Sequence, residues 1–116
     1  MATAKDIMMI SGLYKVAFST PLGSGHGVVS LQDGKVHGGD STMFYVGTYS
    51  LKGAAFTAEL VVDRHSSQPG MFSVLGANKA SLNLSGTVSG DVLSLTGVSP
   101  QAGNVQFKAT MQKVAD

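Results

Sequence analysis

Apolar and polar residues alternate along most of this chain, and a period of two is the pattern of half-buried β-strands. In the first such run, Tyr14, Val16 and Phe18 fall on one face, and Lys15 falls on the other. Further predicted inward-facing sets are Gly27, Val29 and Leu31; Phe56, Ala58, Leu60 and Val62; Leu82, Leu84, Gly86 and Val88; Leu93, Leu95 and Gly97; and Val105, Phe107, Ala109 and Met111. The alternation therefore predicts an all-β protein.

Turn-forming residues separate these runs at strand-length intervals. Asp33 and Gly34 are a two-residue hairpin signal, because both residues tolerate the positive φ angles of a type I′ turn. A tight connection at Gly53 joins two strands predicted at 43–51 and 55–63. Such spacing is typical of antiparallel hairpins.

The segment 64–79 breaks the alternation with Pro69, Gly70 and Gly76, so a long loop is predicted there, with room for one helical turn at 71–75. Elsewhere the chain gives about eight strands joined by short turns, and no long amphipathic helix. These features predict an antiparallel meander that closes into a calycin-like or lipocalin-like barrel. A barrel of about eight strands either fills its interior with side chains or holds one small ligand.

The length of 116 residues and a hydrophobic content of 43% suit one domain with one core. Residues 12–116 are assigned to the barrel, and residues 1–11 to a flexible or interface-forming lead-in. The apolar run at 7–10 is shorter than the ~7–15 residue core of a signal peptide. We expect this run to pack either across a barrel mouth or in a dimer seam. No segment approaches transmembrane length, so no membrane contact is expected.

The charge distribution favours a protein partner over a nucleic acid. The formal net charge is +1 and the lysines are scattered singly, so direct nucleic-acid binding is not expected. Charged residues make up only 13% of the chain, about half the usual share, which leaves surface for a partner. The chain has no cysteine, which excludes disulfides and thiolate metal sites and fits a cytoplasmic location.

The candidate catalytic and metal-binding side chains are dispersed along the sequence. His26, His37 and His65 fall on different predicted segments, and no pair of them has the spacing of a metal motif. We therefore expect no enzyme activity, no metal and no cofactor. The weaker alternative is an enzyme that uses one of these histidines with Asp40 or Asp63.

A ligand site inside the barrel would use inward-facing aromatic and apolar residues. A tyrosine combines ring area with a hydroxyl that needs a partner, so it either orients a ligand's polar group or bonds to backbone at a barrel end. The aromatic content of only 7% is compatible with a roomy interior. The predicted interior ligand-binding residues are Tyr14, Phe18, Tyr45, Tyr49, Phe56, Leu60 and Phe107.

An ordered set of short motifs between residues 12 and 49 resembles the GrlR family, which is named for a negative regulator of type III secretion in enteropathogenic bacteria. The motifs are Gly12-Leu13-Tyr14, Phe18, Gly25-His26-Gly27-Val28-Val29, Asp33-Gly34-Lys35, Gly38-Gly39-Asp40 and Tyr45-Val46-Gly47-Thr48-Tyr49. The resemblance covers about the first half of the chain and implies a small lipocalin-like barrel that dimerises. It also implies a regulator that binds and silences a helix-turn-helix transcriptional activator.

Two elements of this region bear on function. The motif Gly38-Gly39-Asp40 is the most distinctive one, and we predict a structural turn in which two glycines permit a sharp reversal and Asp40 bonds nearby backbone N–H groups. The turn Ser50-Leu51-Lys52-Gly53 is the predicted protein-binding loop. It lacks the acidic run that the founding regulator carries at the matching place, so that regulator's contact does not carry over.

Two functions follow from these observations. The leading expectation is a non-enzymatic GrlR-like regulatory protein, a homodimer that modulates a bacterial protein partner. The alternative is a protein that binds a small apolar molecule or lipid in the barrel interior.

Overall fold

The computed structural model describes residues 10–21, 23–66, 79–99 and 106–116. The strands are Gly12–Thr20 (β1), Gly23–Gln32 (β2), Lys35–Gly39 (β3), Met43–Lys52 (β4), Ala55–Arg64 (β5), Lys79–Ser89 (β6), Val92–Val98 (β7) and Gln106–Ala115 (β8). Each strand pairs antiparallel with the next one, and β8 pairs with β1, so the eight strands of the described ranges form a closed barrel. The predicted all-β barrel is confirmed.

Among the described residues, those predicted to face inward from the alternation lie on the inner face of the barrel, and Val105 of that set lies outside the described residues. On β5, for example, Phe56, Ala58, Leu60 and Val62 are buried, while Glu59 between them is exposed. The same order holds on β1, β7 and β8. The hydrophobic effect therefore fixes which face of each strand lies inside.

The hairpin turns follow the glycine signals. Asp33 has a φ of 54° and Gly34 a φ of 79°, as the predicted type I′ turn between β2 and β3 requires. Gly53 has a φ of 59° in the connection from β4 to β5. This left-handed conformation has almost no cost for glycine, since glycine has no Cβ.

Close backbone approach explains two glycines inside strands. A Cβ at Gly47 would lie 1.9 Å from the carbonyl oxygen of Glu59, and a Cβ at Gly86 would lie 1.9 Å from that of Ser94. At these two positions the backbone of the neighbouring strand comes so close that only glycine, which has no Cβ, fits. Glycines of this kind let a sheet bend enough to close.

The Gly38-Gly39-Asp40 motif differs in part from its prediction. Gly38 and Gly39 lie in β3 without a positive φ, and the reversal of the chain starts at Asp40. Gly38 is needed for another reason, because a Cβ there would lie 2.2 Å from the carbonyl oxygen of Val28. The Oδ1 atom of Asp40 accepts hydrogen bonds from the N–H groups of Thr42 and Met43, at 2.9 and 2.8 Å, which is the predicted Asx turn.

Two parts of the sequence interpretation fall outside the described residues. The long loop predicted at 64–79 is wrong at its two ends, because Arg64 is the last residue of β5 and Lys79 the first of β6. Residues 67–78 within it, with the predicted helical turn at 71–75, lie outside the described residues. Residues 1–9 of the lead-in are also outside. Of the apolar run at 7–10, Ile10 is described, and it is buried in the core with an exposed fraction of 4%.

The barrel has two ends, which are named here by a residue at each. At the Ile10 end lie the turns between β2 and β3, β4 and β5, and β6 and β7, because these strands alternate in direction. At the Asp40 end lie the turn between β3 and β4 and the adjacent residues Asp63 and Lys79, which pair where β5 ends and β6 begins. The two ends differ in packing, and the candidate site lies toward the Asp40 end.

Candidate functional site

A cavity of about 250 Å³ lies inside the barrel and reaches its Asp40 end. Apolar side chains from most of the strands form its walls, because the alternation directs them all toward the same axis. These wall residues include Val16, Val29, Leu60, Leu82, Leu95 and Met111. The interior is thus an apolar space bounded by strands.

Three aromatic rings stand together on the Asp40 side of this cavity. Phe18 stacks on Phe107 with ring centroids 5.8 Å apart, and its ring meets the ring of Tyr45 edge to face at 6.4 Å. Gly25 makes room for Phe18, since a Cβ there would lie 2.9 Å from the phenylalanine ring. All three aromatic residues line the cavity.

The Asp40 carboxylate holds a compact hydrogen-bond network at the cavity's edge. Its Oδ1 atom accepts the two backbone N–H bonds of the Asx turn, and its Oδ2 atom accepts a hydrogen bond from the Tyr45 hydroxyl. The backbone N–H of Asp40 donates to the carbonyl of Met43 at 2.9 Å. The turn therefore fixes the carboxylate at the edge of an apolar space.

Tyr45 keeps its proton in this arrangement. Burial, the hydrogen bond to Asp40 and the negative charge of Asp40 all raise the pKa of the Tyr45 phenol, in that order of importance. Gly27 gives the ring its place, because a Cβ at Gly27 would lie 3.0 Å from the Tyr45 hydroxyl oxygen. The phenol therefore donates to Asp40.

Polar residues continue around the rim of the Asp40 end. Ser24, His26, Ser41 and Thr42 contribute to the lining of the cavity. Thr42 is buried, whereas Ser24, His26 and Ser41 are exposed. The cavity is thus apolar along its length and polar at one end, an arrangement that suits an amphiphilic molecule.

The Ile10 end is packed instead of hollow. The Tyr14 hydroxyl donates to the carbonyl oxygen of Ile10 at 2.8 Å, and Tyr14 is only 1% exposed. Burial, with smaller effects of Asp91 and Tyr49, raises the pKa of Tyr14 to about 12. The rings of Tyr49 and Phe56 stack with centroids 5.8 Å apart.

Five of the seven predicted ligand-binding residues line the cavity. Phe18, Tyr45, Phe56, Leu60 and Phe107 line the cavity. Tyr14 and Tyr49 are buried inside the barrel but are absent from the lining found among the described residues. Tyr14 instead bonds to backbone at a barrel end, which is the alternative role that the sequence predicts for a buried tyrosine.

The rim residues were missed as ligand-binding candidates by sequence reasoning. A signal for them did exist, because Asp40 precedes Thr42 and Met43 at the two spacings of an Asx turn and so directs its carboxylate toward the end of the hairpin. Ser24 and His26 gave no such signal, since their outward alternation on β2 argues against an interior role.

The candidate enzymatic residues are brought together only in part, since His26 and Asp40 both line the cavity. The Nε2 atom of His65 lies 2.9 Å from the backbone carbonyl oxygen of Asp40, not from its carboxylate. Asp63 accepts a hydrogen bond from the backbone N–H of Arg64. Within the described ranges no three histidine, aspartate or glutamate side chains come together as metal ligands.

The outer surface carries a second feature, an apolar patch that consists of Val28, Phe44, Val46 and Val61. Val46 and Val61 are direct cross-strand partners, and Gly39 pairs with both Val28 and Phe44. These four side chains are between 37% and 49% exposed. They share the outer face of β2, β4 and β5, with His37 opposite Val46 and Asp63 opposite Phe44 at the border of the patch.

The predicted protein-binding loop is only partly accessible. Ser50, Lys52 and Gly53 are exposed, whereas Leu51 is 3% exposed and belongs to the core. A partner at this turn would therefore contact polar atoms and one lysine.

No protein-family model matches the chain, and no curated protein matches it in sequence. Within the described residues there is no helix long and apolar enough to cross a membrane.

Proposed function

We propose that this protein is a non-enzymatic binding protein that holds a small, mainly apolar molecule inside its barrel. The cavity of about 250 Å³ carries this proposal. An interior space of that size weakens packing, since its lining residues lose contacts, and ligand binding is the function that such a space can serve.

The volume sets the size of the ligand. An apolar cavity of ~150 Å³ is enough to hold benzene, so a cavity of this size suits a molecule of roughly ten non-hydrogen atoms. A medium-length alkyl chain with one polar group has that size, and its polar group would lie at the rim formed by Asp40, Tyr45 and Thr42.

Isothermal titration calorimetry with 1-octanol tests this proposal. Ala58 lines the cavity and is buried, so Ala58→Leu should fill the space and abolish binding. Ala17→Leu is the matched control, because Ala17 is exposed on the outside of β1. Absence of octanol binding to the wild-type protein, or equal binding to a folded Ala58→Leu variant, would count against an interior ligand.

A second candidate function is regulation of the GrlR type, in which this protein binds a bacterial protein partner, as a homodimer in the cytoplasm. The apolar patch of Val28, Phe44, Val46 and Val61 favours it, because contiguous exposed apolar side chains are common at protein interfaces. The four patch residues are uncharged, so the partner is expected to offer an apolar surface to them.

This second candidate is tested with the double variant Phe44→Ser and Val46→Ser. Thr48→Ser is the control, since Thr48 lies exposed on the same face of β4. Each variant is used to capture proteins from native extract. The candidate is supported if one identified partner binds the control variant in stoichiometric amount and does not bind the double variant. Loss of a dimer in light scattering would identify a second copy as the occupant, and equal partner binding by both variants would exclude the patch.

A further inference from the structure

We infer that the cavity binds amphiphiles with a cationic or hydrogen-bond-donating head group in preference to carboxylates. Asp40 is the residue that causes this preference. This inference rests on the proposed ligand-binding function and specifies the chemical class of the ligand. It follows from the charges around the cavity and from the unused hydrogen-bonding capacity at its rim.

The described lining residues include a carboxylate but no lysine or arginine. Asp40 is the only carboxylate among the described lining residues, and no lysine or arginine is among them. A carboxylate held beside an apolar space attracts a cation and repels an anion more strongly than it would in water, because the local dielectric constant is lower.

Asp40 retains one acceptor position for a ligand. A carboxylate offers about four lone-pair sites. Two on Oδ1 are used by the N–H groups of Thr42 and Met43, and one on Oδ2 is used by the Tyr45 hydroxyl. The remaining site on Oδ2 can accept a hydrogen bond from an ammonium or hydroxyl group of a bound molecule.

Three of the donors closest to Asp40 are committed to its own carboxylate, which leaves the hydroxyls of Ser24, Ser41 and Thr42 and the ring of His26 as the other side-chain donors in the lining. The Tyr45 hydroxyl donates its only proton to Asp40, as do the backbone N–H groups of Thr42 and Met43. Arg64 pairs in register with Met43, but its guanidinium donates to the carbonyl oxygen of Ser66 at 3.3 Å, and it is outside the cavity lining. A carboxylate ligand would thus meet the Asp40 charge with no lysine or arginine among the described lining residues to compensate it.

Three probes with the same alkyl chain test the selection. Octylamine, 1-octanol and octanoate differ only in the head group, and at pH 7 they are a cation, a neutral molecule and an anion. In calorimetric titrations of the wild-type protein we expect octylamine to bind about tenfold more tightly than octanoate, with octanol between them. This order is measured on the unmodified protein, so it does not depend on the folding of a variant.

The variant Asp40→Asn tests whether Asp40 causes the order. Asparagine keeps the shape and can still accept the two N–H bonds of the turn. We expect octylamine to lose about tenfold in affinity, octanoate to gain, and octanol to change little. Asp91→Asn is the matched control, because it removes the same charge from an exposed turn at the Ile10 end and should leave all three affinities unchanged.

The failures of the two proposals are distinguishable. If none of the three probes binds, the proposed ligand-binding function is wrong. If octanol binds while octanoate equals or exceeds octylamine, only the selection by Asp40 is wrong. If the order is correct in the wild-type protein but Asp40→Asn preserves it, the selecting charge is not Asp40.

Discussion

Each end of this barrel contains a buried tyrosine, but the hydroxyl groups of the two tyrosines have different partners. At the Ile10 end, the Tyr14 hydroxyl bonds to a backbone carbonyl and its ring fills the interior. At the Asp40 end, the Tyr45 hydroxyl bonds to a carboxylate beside a cavity. Tyr14, whose partner is a backbone carbonyl, therefore closes one end of the barrel. Tyr45, whose partner is a charged side chain, borders the candidate site at the other end.

The difference lies in what surrounds each ring. Ile10 packs into the core at one end, whereas at the other end Gly25 and Gly27 supply no side chain where Phe18 and Tyr45 stand. Small residues thus position the aromatic rings of the Asp40 end but contribute no side-chain volume to the interior. In a barrel of a given strand number, the size of the inward-facing side chains decides how much of the interior stays open.

Leu93 and Leu95 provide the strongest test of this comparison, because both face inward on β7, two residues apart. Leu93 is fully buried and is not among the lining residues, whereas Leu95 lines the cavity. We expect Leu93→Ala to lower the free energy of unfolding by about 4 kcal/mol, and Leu95→Ala by about 2–3 kcal/mol, since Leu95 already lacks neighbours on one side.

Urea denaturation of both variants measures this difference. Phe107→Ala, which removes a ring that also lines the cavity, should cost about 3 kcal/mol, the lower limit for a buried phenylalanine. Equal losses for the two leucines would mean that packing is uniform along the barrel, and the distinction between the ends would be lost.

Much of this fold could be predicted from the sequence, because burial itself produces the alternation. The strand predicted at 43–51 is observed at Met43–Lys52, and the one predicted at 55–63 is observed at Ala55–Arg64. Alternation identifies the inward face but not the position along the barrel axis. For that reason the alternation predicts a single interior group that contains Tyr14, Tyr45 and Tyr49.

The candidate site could be predicted only in part, because its contacts depend on the tertiary structure. The Asx turn at Asp40 is local and was predicted. The bond from Tyr45 to Asp40 needs a ring position that Gly27 leaves open from another strand, and the register between strands decides that. A single sequence does not contain this register explicitly.

Alkaline pH should destabilise the barrel through both tyrosines. The pKa of Tyr14 is raised from 10.0 to about 12, mainly by burial, and the pKa of Tyr45 is raised as well. A raised pKa means that the folded state favours the protonated phenol. The stabilisation is fully present below pH 10 and is lost as the pH rises through 12.

Circular dichroism with urea titrations between pH 9 and 12 measures this loss. The wild-type protein should lose stability over this range, and Tyr14→Phe should lose less because it has one ionisable group fewer. A stability that is constant up to pH 12 would show that neither phenol is held in its protonated form by the fold.

Tyr14→Phe should lower the free energy of unfolding by about 1–2 kcal/mol at neutral pH. The substitution keeps the ring but removes the hydrogen bond to the Ile10 carbonyl oxygen, which leaves a buried acceptor without that donor. Urea denaturation is the measurement. A change near zero would mean that solvent reaches the Ile10 carbonyl and that this end is not closed.

Tyr45→Phe should have the smaller effect of the two, about 0.5–1 kcal/mol, although its hydroxyl bonds to a charged group. The Asp40 carboxylate keeps its two backbone N–H bonds, and the Oδ2 atom that loses its donor borders a cavity, not a packed core. The loss of the phenol therefore changes the rim more than the fold. A loss larger than that of Tyr14→Phe in the same urea titration would show that the Asp40 network supports the barrel, and the assignment of this end to binding would lose its physical basis.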